Sequence, residues 1–91
     1  MKIEVTQAHI DAGRPGNCCA CPVALAIQEA LPKVWNVSVA SFIRLKATDG
    51  TYVDCLVPPA VSVFIDAFDD GGPKRVQPFT FNLPVIPGWA N

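Results

Sequence analysis

VSVASFIRLKATDGTYVDCLV (37–57) alternates apolar and polar residues over enough length to form a β-hairpin, and the position of its turn decides how the chain is arranged. Two registers compete. With Asp49-Gly50 as a two-residue turn, Leu45 would face Asp54 and Arg44 would face Cys55. With Thr48-Asp49-Gly50 as a three-residue loop and Gly50 left-handed, Ile43–Cys55, Leu45–Val53 and Ala47–Thr51 pair on one face. Phe42–Leu56, Arg44–Asp54 and Lys46–Tyr52 then pair on the other. Only this second register separates apolar from charged residues and sets Arg44 against a carboxylate, so it is the one expected.

Before the hairpin, KIEVT (2–6) places Ile3 and Val5 on one face of a first strand. Thr6 can cap a helical turn, QAHIDA (7–12), with Gly13 closing it in the left-handed region. Pro22 suits the first position of a helix whose buried face is Val23, Ala26, Ile27, Ala30 and Leu31, ended by Pro32. After Pro58-Pro59, helical spacing groups Val61, Phe64, Ile65 and Phe68. Strand alternation would strand both phenylalanines on the polar side, so a helix is expected. PFTFNLPV (78–85) alternates Phe79, Phe81, Leu83 and Val85, and Pro78 and Pro84 confine it to a sheet edge. The order βαββαβ with right-handed crossovers favours an α+β fold of ferredoxin-like type, a four-stranded antiparallel sheet with two helices on one face. Residues 1–91 then form a single small α+β domain with a Pro-rich C-terminal arm at 84–91. The open face of that sheet would carry Lys2, Glu4, Phe42, Arg44, Tyr52, Leu56, Thr80 and Asn82.

Three of those eight are large and apolar or aromatic, and the composition points the same way. Of 91 residues, 51% are hydrophobic and only 16% charged, so some apolar surface is expected to meet a partner. A homo-oligomer, a dimer first, built on Phe42, Tyr52 and Leu56 is the simplest case. Seven basic against eight acidic residues leave a net charge of −1, which excludes broad nucleic-acid binding. The opening MKIEVTQ lacks the pattern of a secretory leader, and no apolar run approaches the ~20 residues of a membrane span. A cytoplasmic setting with reduced thiols and no membrane partner is therefore expected.

GRPGNCCACPVALAI (13–27) is the stretch that ordinary packing explains least. Cys18 and Cys21 have the C-x₂-C spacing of a zinc knuckle, but the chain offers only Cys55 and His9 as further ligands, and Cys55 points to the core in the chosen register. Cys21 stands at a helix N-cap, where the macrodipole lowers a thiol pKa, yet no base is spaced to serve it. The plainer expectation is that Cys21 caps the helix and that His9 is a surface residue. Arg14, Gly16, Asn17 and Cys21 can also be read as a small-anion site, a glycine loop presenting amides at a helix start. Lys74 and Arg75 in DDGGPKR (69–75) would give a second basic rim, or only a solvated turn.

VTQAHIDAGRPGNCCACPVALAIQEAL (5–31) resembles the front half of small proteins of unknown function from bacteriophage and bacterial genomes. In those an HI-x₂-G segment is followed by a cysteine and PVALAI, matched here by His9, Ile10, Gly13 and residues 21–27. The likeness covers about a third of the chain and implies a phage setting, hence the host-cell cytosol, rather than a mechanism. Three functions stand as expectations. The first is a non-enzymatic phage accessory protein that binds a host protein or a small anionic, nucleotide-like ligand and so counters host defence. The second is a zinc-stabilised interaction module using Cys18 and Cys21, and the third a thiol enzyme centred on Cys21. No cofactor is expected for the first.

Overall fold

The computed structural model of the chain describes residues 1–31 and 35–83. Its elements are β1 (Lys2–Val5), α1 (Gln7–Ala12), α2 (Pro22–Ala30), β2 (Trp35–Val39), β3 (Phe42–Ala47), β4 (Tyr52–Leu56), α3 (Pro59–Gly71), a 3₁₀ turn (Gly72–Arg75) and β5 (Phe79–Asn82). The α+β class and the antiparallel pairing are as expected, and the β3–β4 register is the one chosen above. Ile43 pairs with Cys55, Arg44 with Asp54 and Lys46 with Tyr52, and Gly50 has φ +95°.

The single four-stranded ferredoxin-like sheet is not formed. β1 and β5 make a two-stranded ribbon, and β2, β3 and β4 make a separate three-stranded meander. The stretch expected as one long strand from residue 37 reverses at Ala40–Ser41, so that Val39 faces Ile43 and Val37 faces Leu45. The physical reason is parity. The reversal pairs odd residues with odd ones, so Val37, Val39, Ile43 and Leu45 share one face whether the strand continues or folds back. Period-two alternation is therefore blind to the turn. Ser41, which a straight strand would aim into the apolar row, is instead exposed at the reversal. Three α-helices form where two were expected on one face, because the capped turn at 7–12 is a helix in its own right.

The helix starts follow local chemistry. Thr6 caps α1 and Cys21 caps α2, its Sγ accepting from the Ala24 amide at 3.4 Å. Gly13 is extended (φ −72°, ψ 157°) rather than left-handed. It is glycine for space, since a Cβ there would lie 2.6 Å from the Pro22 ring. α2 buries Val23, Ala26 and Ile27 as its spacing predicts, but ends at Ala30, which is exposed. α3 buries Val61, Phe64 and Phe68, and the ring of Phe64 stacks on Phe79 of β5 with centroids 4.7 Å apart. The two sheets and three helices share one core, in which Ile3, Ile10, Ile27, Ile43, Leu45 and Phe68 are wholly enclosed. Each such side chain contributes about 1.5–3 kcal/mol by leaving water. Pro32, Val85 and the expected arm at 84–91 lie outside the described residues.

The outer edge of β2 is closed by side-chain and loop groups. The Gln28 amide of α2 donates to the Trp35 carbonyl at 2.6 Å and accepts from the Val37 N–H at 3.1 Å. Two residues further along β2, the Val39 N–H donates to the Cys18 carbonyl at 2.8 Å. Gln28 thus stands where a neighbouring strand would. Gln28→Leu keeps the volume but removes both partners, and is expected to destabilise the fold by about 1–3 kcal/mol in a urea titration. A neutral result would mean that these backbone groups find water without cost.

Candidate functional site

The loop between α1 and α2 keeps its shape through its own polar groups. Gly16 takes φ +71°, and the Asn17 Oδ1 that follows accepts from the amides of Cys19 (2.9 Å) and Ala20 (3.1 Å). The Gly16 N–H donates to Asp69 Oδ1 of α3 at 2.9 Å, and the Arg14 N–H donates to the Ala20 carbonyl at 2.8 Å. With Ala24 bound to Cys21 Sγ and no N–H on Pro22, the amides that an anion would need are largely engaged. A cleft of about 360 Å³ does open here, lined by Gly16, Asn17, Cys18 and Cys21 together with Ser41 and Asp69. Of the four proposed anion ligands it brings three together. Arg14 is exposed and does not line it, and the charge that does is the Asp69 carboxylate. Lys74 and Arg75 are exposed on the 3₁₀ turn and contribute nothing to this cleft.

The cysteines divide by environment. Cys18 and Cys19 are exposed with their sulfurs 3.2 Å apart. The Cys19 thiol, and then the Ser38 hydroxyl, hydrogen-bond Cys18 and lower its pKa, whereas the same contact raises that of Cys19. Cys21 is buried, and desolvation raises its thiol pKa in spite of the cap bond from Ala24. This opposes the helix-dipole acidification on which a Cys21 nucleophile would depend. Cys55 is buried on the core side of β4, its pKa also raised by burial. Among the described residues no three His, Cys, Asp or Glu side chains gather as a metal-ligand group.

His9, expected at the surface, is buried. Its Nδ1 accepts from the Thr6 backbone N–H at 3.0 Å, so Nε2 carries the proton and donates to Glu29 Oε2 of α2 at 2.8 Å. The ring completes a capping box for α1 and ties α1 to α2. The Thr-x-x-His spacing was the only local signal, and its Glu29 partner is 20 residues away. His9→Ala is expected to cost about 1–2 kcal/mol of stability, measured by denaturation. His9→Gln, which keeps an acceptor at the box position, should cost less.

The remaining feature is the outer face of the meander. Phe42 is 51% exposed, Tyr52 56% and Leu56 73%. Phe42 and Leu56 are cross-strand partners at one end of that face. At its centre Arg44 grips Asp54 through Nε–Oδ1 (2.7 Å) and Nη2–Oδ2 (2.9 Å), and its guanidinium lies 4.3 Å from the centre of the Tyr52 ring. Lys2, Glu4, Thr80 and Asn82, expected on the same sheet face, are exposed on the separate β1–β5 ribbon. Asp54 and Arg44 couple directly. The guanidinium holds the Asp54 carboxyl below its ordinary value, so the pair's contribution is present above that value and is lost as pH falls through the lowered one. A double-mutant cycle on Arg44→Ala and Asp54→Ala should give a small favourable coupling at neutral pH and low salt, vanishing in acid and in high salt.

Compared with family models, curated proteins and solved structures, the chain matches none. Among the described residues no helix is long and apolar enough to cross a membrane.

Proposed function

We propose that this chain is a non-enzymatic binding protein whose working surface is the outer face of the β2–β3–β4 meander, and that it takes protein rather than a small anion. The observation that carries the proposal is the exposure of Phe42, Tyr52 and Leu56 together on one sheet face. Each leaves water only against a partner, and burial of an aromatic or leucine side chain is worth about 1.5–3 kcal/mol. The loop at 13–21 argues in the same direction by contrast. The amides of Gly13, Arg14, Gly16, Cys19 and Ala20 are engaged within the protein, and the Gly16 N–H is held by the Asp69 carboxylate. A homo-oligomer formed through this face, in the host cytosol of a phage setting and with a host protein as the further partner, is the form of the proposal.

The nucleotide-like ligand remains the reading to beat, and it is cheap to test. Inorganic phosphate and nucleoside mono- and diphosphates are expected to leave the melting temperature unchanged, whereas a ligand at 100 times its Kd would add about 2.7 kcal/mol. An upward shift that disappears in Asn17→Ala would move the working site to the loop. Phe42→Glu combined with Leu56→Glu is expected to keep the fold, since both side chains are exposed, and to abolish association measured by sedimentation. A double variant that assembles like the wild type would remove this face from the function.

A further inference from the structure

We infer that β4 is a strand-addition edge, and that its partner is β4 of a second copy of this chain, running antiparallel about a two-fold axis at Asp54. The inference rests on the reading of the meander face as a protein-contacting surface and says which groups make the contact. The two edges of the meander are treated differently. That of β2 is closed by Gln28 and by the Cys18 carbonyl. β4 is the other terminal strand and, among the described residues, pairs only with β3. The Ala47 N–H bonds the Thr51 carbonyl, so Thr51, Val53 and Cys55 direct their backbone groups to β3. By alternation the N–H and C=O of Tyr52, Asp54 and Leu56 point outward, and all three residues are exposed.

The side chains identify the occupant. On one protomer Tyr52 is cut off from Phe42 and Leu56 by the Arg44–Asp54 ion pair, so the three apolar groups form no continuous patch. An antiparallel pairing centred on Asp54 sets Tyr52 opposite Leu56 of the second copy, which already has Phe42 of the second copy beside it. Tyr52, Leu56 and Phe42 then run in one row across three strands, and the two-fold axis makes a second such row. All outward groups of Tyr52, Asp54 and Leu56 find partners, whereas shifting the centre to Val53 or Cys55 leaves one residue of the three unpaired in each copy. The two Asp54 carboxylates meet at the axis, each already bound on both oxygens by its own Arg44. The product is a continuous six-stranded sheet.

The test reads the amides directly. Hydrogen exchange at Tyr52, Asp54 and Leu56 is followed across a dilution series, beside sedimentation of the same samples. A dimer is expected, with those three amides protected at high concentration and losing at least about tenfold of that protection as the dimer dissociates. An assembled protein in which they exchange freely overturns the edge pairing while leaving the face as the contact. A chain that is monomeric at the highest concentration overturns both. Protection that survives full dilution would mean that the edge is covered within one chain, and also overturns the pairing. As a second arm, Asp54→Pro removes the central outward N–H without touching the bonds to β3, and should weaken association at least about tenfold relative to Asp54→Ala, which loses the same carboxylate but keeps the amide. Equal association of the two variants counts against the inference.

Discussion

The side-chain amide of Gln28 is bonded at both its nitrogen and its oxygen to the backbone of β2, and the placing of the meander depends on that grip. Among the described residues the two sheets share no strand pairing. α2 joins them, packing on β1 and on β2. Packing alone is non-directional. The Gln28 amide adds direction, because its two bonds set how far along β2 the helix sits.

Seen from this grip, the cysteine-rich loop is a strut. It is anchored to α1 through Gly13, to β2 through the Cys18 carbonyl and to α3 through Asp69. The anchor to α3 uses the Gly16 N–H, a donor that an anion site would have left free. Chemistry that looked unusual as a string of residues serves to hold three elements in place.

What could be read from the sequence, and what could not, follows from the range of the interactions. The β3–β4 register was legible because Gly50, Arg44 and Asp54 are close in sequence and only one alignment satisfies all three. The exposed trio was legible for the same reason, since Phe42, Tyr52 and Leu56 fall in the polar phase of that register. The reversal at Ala40–Ser41 was hidden by parity, and with it the split into two sheets. His9 was misjudged because a lone histidine beside a turn looks solvated until its partner 20 residues on is brought to it. Asp69 left no trace at all, its bond to Gly16 spanning 53 residues. The fate of the loop amides could be seen only in three dimensions.

The split into two sheets also separates short-range pairing from long-range pairing. Every pairing in the meander joins neighbours in sequence, down to Val39 against Ile43. The ribbon instead joins the two ends of the described chain, where the Met1 ammonium donates to the Leu83 carbonyl across 82 positions. Closing so long a loop costs entropy that only contacts made afterwards can offset. Contact range therefore favours early pairing in the meander and late closure of the ribbon. Until Phe81 and Leu83 join the core, β1 lacks the one strand that it pairs with among the described residues.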